Sequence, residues 1–289
     1  MIGVKIWGGL GNQMFQYAFG LYLSKKRREK PFFFTEINKE NVLAIDYFKV
    51  SIAYLSTEAL KKNGYDVQNY FLYRFKRKLF QKLPFLNKKI LVENVSAYRP
   101  DILDTYSLFD GYWQSYKYLQ PIEQKLKEQF VFEGIEFTGL DLYTEIKNVN
   151  SVSLHIRRGD YLKGKNAAIY ENVSMAYYEE AIGYFSKELV APQFYVFSND
   201  IDWVKNNLKM PKDLQFVYVN NTTIENATLA DLHLMSICKH HIIANSTFSW
   251  WGAWLNSSPE KKVIAPKKWY KGKMNELTLD LIPPEWKRL

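Results

Sequence analysis

Beyond residue 150 the chain alternates regularly between short apolar runs and segments with apolar residues at helical spacing. The apolar runs at 152–156, 193–197, 214–219, 241–244 and 262–265 read as strands. Between them the spacing predicts helices near 175–189, 201–208 and 229–238, and another from Thr247. Strands alternating with helices imply a parallel sheet covered on both faces, so the expected fold class is α/β. Ligands of such sheets bind beyond the carboxyl ends of the strands. The polar loops at 155–160, 198–202 and 245–251 fall at those ends.

The first half is less regular. Residues 4–7 read as a strand, Gly8-Gly9-Leu10-Gly11 breaks it, and Met14, Phe15, Ala18, Leu21 and Tyr22 then fall at helical spacing within 12–28. Strands are also predicted at 31–35 and 107–113, whereas 38–98 is aromatic-rich and offers no readable order. With 289 residues the chain has room for two domains. The boundary is placed in the polar stretch 144–150, giving domains 1–147 and 148–289. There is no repeat of solenoid period and no low-complexity tract.

An apolar content of 47%, with 17% aromatic residues, excludes a disordered or fibrous chain. The formal net charge is +9, and much of the excess lies in Lys25-Lys26-Arg27-Arg28 and in 74–89, which holds seven basic residues and no acidic one. Such stretches suit polyanions or an anionic membrane face, or else form a solvated helix surface. No apolar run approaches the roughly 18–20 residues of a membrane-spanning helix, and the first residues do not resemble a secretory signal. The expected location is therefore the cytoplasm, peripherally at the inner membrane. The single cysteine, Cys238, reads as a small buried hydrophobe.

Arg157-Arg158, directly after the strand-like SVSLHI, is the most informative pair. Two guanidiniums at a strand end must face an anion or bear a desolvation cost. A pyrophosphate fits, because forked donors can bind its oxygens and stabilise charge that grows as it departs. The alternative is a structural ion pair with Asp160. The segment from Asn245 to Gly252 follows a strand and opens a helix, where Ser246 or Thr247 can cap and free N–H groups can meet a phosphate. An ordinary cap over core tryptophans is the alternative. Gly9-Leu10-Gly11 begins like a dinucleotide fingerprint, but Met14 stands at the third glycine position, so a nicotinamide cofactor is not expected. Asp200-Ile201-Asp202 has the spacing of a divalent-metal pair, although Asp202 also suits a helix first turn. His155, His233, His240 and His241 lack zinc spacing.

Taken together, GGLGNQMFQYA (8–18), GYWQS (111–115), HIRRGDY (155–161), FSND (197–200) and DLHLMSICKHHIIANSTFSWWGAWL (231–255) resemble the α-1,2-fucosyltransferase family. The resemblance implies a GT-B fold of two Rossmann-like domains facing a cleft, with the acceptor on the first domain and GDP-fucose on the second. It implies inversion at the anomeric carbon of fucose, no metal or other cofactor, and the 2-hydroxyl of a β-galactoside glycan, free or lipid-linked, as acceptor. On the same carry-over Arg158, Arg157 and Asp160 are the catalytic candidates, with Arg158 on the donor β-phosphate. The donor-binding set is His155, Asn12, Gly11, Asn199, Asp200, Ser246, Thr247 and Phe248, with His155 and Asp200 at the guanine. The acceptor of the hydroxyl proton is open between Asp160 and His155, and no strong base is needed if bond breaking runs well ahead of attack. Two rival readings stand beside this one: a metal-dependent sugar-nucleotide transferase using Asp200 and Asp202, and a nucleic-acid-binding module, for which the motif loops lack stacking platforms.

Overall fold

The computed structural model describes residues 1–35, 43–65, 70–94, 97–132, 140–159, 164–220 and 226–289. Its elements, in order, are β1 (Ile2–Lys5), α1 (Leu10–Arg27), β2 (Pro31–Phe34), α2 (Thr57–Lys62), α3 (Tyr70–Lys82), β3 (Ile90–Val92), β4 (Leu108–Asp110), α4 (Tyr116–Leu119) and α5 (Glu123–Gln129). Then follow α6 (Leu140–Asn148), β5 (Asn150–Ile156), α7 (Gly164–Ile169), α8 (Met175–Glu188), β6 (Pro192–Ser198), α9 (Ile201–Asn207) and β7 (Gln215–Tyr218). Last come α10 (Ala227–Ile237), β8 (His240–Ile242), α11 (Thr247–Leu255), β9 (Val263–Ala265) and β10 (Lys287–Arg288). The chain forms two compact units, Met1–Val131 with Leu277–Ile282, and Phe132–Glu276 with Pro283–Leu289.

The first unit holds a parallel sheet in the order β2-β1-β4-β3. All four residues of β1 are buried, as a strand covered on both faces requires. Helix α1 buries most of its length from Leu10 to Leu23 and ends at Arg28, whose φ of 56° stops the helix in a left-handed residue. Asp280, from the returning segment, accepts the Tyr98 N–H at 2.8 Å and pairs with Lys117, which ties that segment into this unit. Strand β3 lies inside the stretch 38–98 that showed no readable order.

The second unit holds a six-stranded parallel sheet in the order β10-β9-β8-β5-β6-β7. The alternation seen in the sequence is therefore a doubly covered parallel sheet, and the α/β class is what the chain adopts. On one face Val152, Leu154, Ile156, Phe194 and Val196 pack with Tyr178, Ile182 and Phe185 of α8 and Val204 of α9. On the other, Tyr195 and Phe197 pack with Ile146 of α6 and with Leu234, Met235 and Cys238. The period of two along β6 thus sends alternate residues to two separate cores. Truncating Phe185 to alanine would cost about 3–5 kcal/mol, since nothing can refill a close-packed interior. Cys238 is a buried free thiol donating weakly to the Leu234 carbonyl, and burial pushes its pKa up. Among the described residues no helix is long and apolar enough to cross a membrane.

Candidate active site

Strands β8, β5 and β6 are neighbours in the second sheet, so the loops leaving their carboxyl ends lie side by side. The β5 loop carries Arg157, Arg158 and Gly159, the β6 loop Asn199 and Asp200, and the β8 loop Asn245 and Ser246 before α11 begins. Asn199 joins the first two: its Oδ1 accepts the Arg158 backbone N–H at 2.9 Å. Gly159 follows at φ +57°, and a Cβ there would come within 2.5 Å of Asn199 Nδ2. Glycine is required on both counts, conformation and space.

The Arg158 guanidinium lies flat over Trp203 of α9, with its carbon 3.3 Å from the ring centroid. Its Nε is buried without a hydrogen-bond partner, and among the described residues no carboxylate forms an ion pair with it. A cation held by its backbone and its π face keeps its N–H edge for an anion. Asp160 lies outside the described residues. Trp203 was not singled out in the sequence, because only the start of α9 places it under Arg158.

His155 is buried at the end of β5, 5.9 Å from the Phe248 ring of α11, with Nδ1 unpartnered. Burial, and then the Arg157 charge, push its pKa down to about 3. Burial thus favours the neutral ring over the imidazolium.

Asp200 takes the N-cap position of α9, where its carboxylate accepts the Trp203 N–H at 3.3 Å, and Asp202 sits in the first turn. Both positions suit the positive end of the helix dipole. Asp200 also lines a pocket of about 450 Å³ at the ends of β6 and β7, together with Ser198, Asn199, Lys205, Tyr218 and Asp231. Among the described residues no group of three or more His, Cys, Asp or Glu side chains is placed to hold a metal. Ser246 occupies the N-cap position of α11 but makes no side-chain cap bond; its carbonyl instead receives the Ser249 hydroxyl and the Trp250 N–H. Thr247 opens that helix. Asn245 is a brace, donating to the carbonyls of Glu171 and Trp269.

In the first unit Gly11 and Asn12 lie in the first turn of α1. Asn12 Oδ1 accepts from Gln114 Nε2 at 2.9 Å, which links the two N-terminal motifs. Gln13 binds the Gly8 carbonyl and the Ile45 N–H, and Gln16 binds the Trp7 N–H and the Gly111 carbonyl. The amide-rich start of α1 thus braces the ends of β1 and β4. Beside it lies a buried charge cluster that the sequence did not disclose. Asp110, at the end of β4, accepts from the Tyr65 hydroxyl, from the Tyr73 hydroxyl at 2.9 Å and from Arg77 Nε at 3.0 Å, with Lys5 Nζ at 3.8 Å. Burial would raise its pKa, but Lys5 and Arg77 outweigh burial and hold the carboxyl below its usual range. Glu93, just past β3, accepts the N–H groups of Tyr112 at 2.6 Å and Trp113 at 3.2 Å. Its carboxyl lies under that turn, although the residue is only half-buried, and desolvation outweighs those bonds to raise its pKa to about 7.

Two parallel α/β sheets, the second with an anion-ready loop at its carboxyl edge, are the parts of a GT-B glycosyltransferase. The fucosyltransferase NodZ from Bradyrhizobium aligns with 87% of this chain and 92% of its own, at a TM-score of 0.51 and 9% identity. NodZ alpha-1,6-fucosyltransferase soaked with GDP-fucose aligns with 88% of this chain and 91% of its own, at a TM-score of 0.50 and 11% identity. At such identities the likeness concerns the fold alone. The profile of Glycosyl transferase family 11 matches residues 1–289, and the chain belongs to that family. An alpha-1,2-colitosyltransferase of Escherichia coli is 32% identical over 100% of this chain and 99% of its own length. The O-antigen biosynthesis glycosyltransferase WbnK of Escherichia coli is 32% identical over 94% of this chain and 96% of its own. Galactoside alpha-(1,2)-fucosyltransferase 2 of Rattus norvegicus is 26% identical over 88% of this chain and 67% of its own.

Proposed function

We propose that this glycosyltransferase moves L-fucose from GDP-fucose to the 2-hydroxyl of a β-galactoside glycan, with inversion and without a metal. The observation that carries the reading is Arg158, fixed by Asn199 and Trp203 and without a carboxylate partner among the described residues. The acceptor oxygen attacks the anomeric carbon of fucose as the bond to the diphosphate breaks, through an oxocarbenium-like state. Charge on the departing β-phosphate grows in that state, so a guanidinium bound to it stabilises the transition state more than the ground state. Arg157 stands beside it, and the start of α11 at Ser246, Thr247 and Phe248 adds N–H groups and a helix dipole. Asn12 and Gly11 belong to the proposed donor-binding set, and Asp200, with Asn199 beside it, accepts from guanine N–H groups in the pocket it lines. His155 supports the ring of Phe248 in its neutral form. Asp160 is our candidate for the proton acceptor, the neutral His155 ring being the weaker base, and a transition state in which bond breaking runs well ahead of attack needs neither. The unit Met1–Val131 with Leu277–Ile282 is assigned to the acceptor and the unit Phe132–Glu276 with Pro283–Leu289 to the donor, in place of a division at 147/148, and the reaction is placed in the cytoplasm, with a glycan that can be lipid-linked.

A second donor is favoured by one finding: the full-length relative at 32% identity is named for colitose. The metal-dependent reading calls on the same Asp200 carboxylate, which caps α9 through one oxygen, and the EDTA arm separates the two. The test is incubation with GDP-fucose and with GDP-colitose, each with a panel of β-galactosides, with and without EDTA, followed by linkage analysis. Fucose on O2 in the presence of EDTA is the expected product. Colitose transfer alone would reassign the donor, and loss of activity in EDTA would restore the metal-dependent reading. Arg158→Ala should lower kcat/KM by at least about 100-fold, or about 3 kcal/mol, and near-native turnover would overturn the phosphate role.

A further inference from the structure

Helix α3 has two faces of different kinds. Tyr73, Arg77 and Phe80, spaced at i, i+4 and i+7, turn inward: Tyr73 and Phe80 join the core beneath and Arg77 reaches Asp110. The opposite stripe holds Phe71 and Phe75, which are 85% and 66% exposed, with Lys78 and Lys82 following on the same side. Past the helix a short turn, Pro84–Leu86, extends the apolar part with Phe85, which is 72% exposed, and Leu86, before Lys88 and Lys89.

Isolated exposed apolar residues are ordinary, but three strongly exposed phenylalanines close in sequence, interleaved with cations, are not. The charge pattern narrows what can cover them. The run 74–89 holds seven basic residues and no acidic one, of which Arg77 reaches inward to Asp110. A second copy docking face to face would oppose like charges. A bilayer rich in anionic lipid supplies what both residue types need, an acyl boundary for the rings and phosphate headgroups for the ammonium groups.

We propose that the outward face of α3 and the turn after it dock this enzyme on an anionic membrane surface, with Phe71, Phe75 and Phe85 entering the interface and Lys78, Lys82, Lys88 and Lys89 meeting lipid phosphates. The inference is independent of which sugar is transferred. Docking of this kind holds the protein on a surface without a spanning helix and concentrates it where a lipid-linked glycan resides.

The test is co-sedimentation of the full chain with phosphatidylcholine vesicles, with and without phosphatidylglycerol, at rising salt. The chain should partition onto the anionic vesicles only, with binding that weakens as salt screens the headgroups. The double variant Phe75→Ser/Phe85→Ser should reduce partition about tenfold, and Lys78→Glu/Lys82→Glu by at least as much. Both should keep wild-type circular dichroism and turnover of a water-soluble acceptor, because none of these residues belongs to the proposed site. The proposal fails if the wild type stays in the supernatant, or binds neutral and anionic vesicles alike. It fails equally if the phenylalanine variant binds as the wild type does, since bulk positive charge would then account for binding. A wild-type dimer in solution that the phenylalanine variant splits would assign the face to a second copy instead.

Discussion

Asn199 holds Arg158 by its backbone, accepting that N–H through Oδ1 at 2.9 Å, while its Nδ2 occupies the space a side chain on Gly159 would need. One amide therefore couples the ends of β5 and β6 and sets where the guanidinium leaves the sheet. Gly159→Ala should act through Asn199. A left-handed alanine costs about 1–2 kcal/mol, and its Cβ would displace the amide that anchors Arg158. Affinity for GDP, measured by calorimetry, should fall about tenfold. Asn199→Asp, which keeps an acceptor oxygen, should retain more affinity than Asn199→Ala. Equal losses in the two would separate the amide from Arg158 positioning.

Trp203 lies under the same guanidinium, and its contribution is distinct from charge. Cation–π support is worth about 0.5–2 kcal/mol depending on desolvation. Trp203→Leu should therefore lower kcat/KM by about two- to thirtyfold. Arg158→Lys keeps the charge but loses the fork and the stacked plane, and should fall below Trp203→Leu. If Trp203→Leu left steady-state kinetics unchanged, the ring would be packing and not positioning.

The second unit was legible because its central strands are buried on both faces and so read as apolar runs; the run at 152–156 became β5, Asn150–Ile156, and 193–197 became β6, Pro192–Ser198. The same rule explains the misses. Strand β10, Lys287–Arg288, is exposed and pairs only with β9, so nothing apolar marks it. Strand β3 is only Ile90–Val92, set between lysines and Glu93, and its partner β4 lies well downstream. In the site, Arg158 stood out because a guanidinium at a strand end needs an explanation. Asp110 did not, since Lys5, Tyr65, Tyr73 and Arg77 reach it from three separate segments.

That cluster sets a stability prediction. Lys5 and Asp110 are fully buried, and removing the carboxylate would take away the counter-charge that Asp110 supplies to Lys5 and Arg77. Breaking a buried pair from one side costs about 3–5 kcal/mol. Asp110→Ala should show a loss of that order in urea unfolding of the first unit. Lys5→Met, which removes a buried cation but leaves Arg77 and two hydroxyls on Asp110, should cost less. The reverse order would mean that Lys5, not Asp110, is the centre of the cluster.

The pH dependence of stability should carry two opposed contributions from the two units. His155 is neutral when folded, with its pKa pushed down to about 3, but takes a proton near 6.5 when unfolded. Its contribution is therefore full above pH 6.5 and is lost as pH falls toward 3, at about 1.4 kcal/mol per pH unit. Glu93 runs the other way. Its carboxyl, raised to about 7, binds a proton more tightly in the folded chain, so its contribution is full below pH 4.5 and is lost as pH rises toward 7. Between pH 4.5 and 6.5 the slopes oppose each other, and substitution separates them. His155→Gln should make chemical-denaturation stability fall less steeply on acidification, whereas Glu93→Gln should make the same profile steeper. A Glu93→Gln profile that flattened would show that Glu93 is ionised throughout this range, with the N–H groups of Tyr112 and Trp113 outweighing its desolvation.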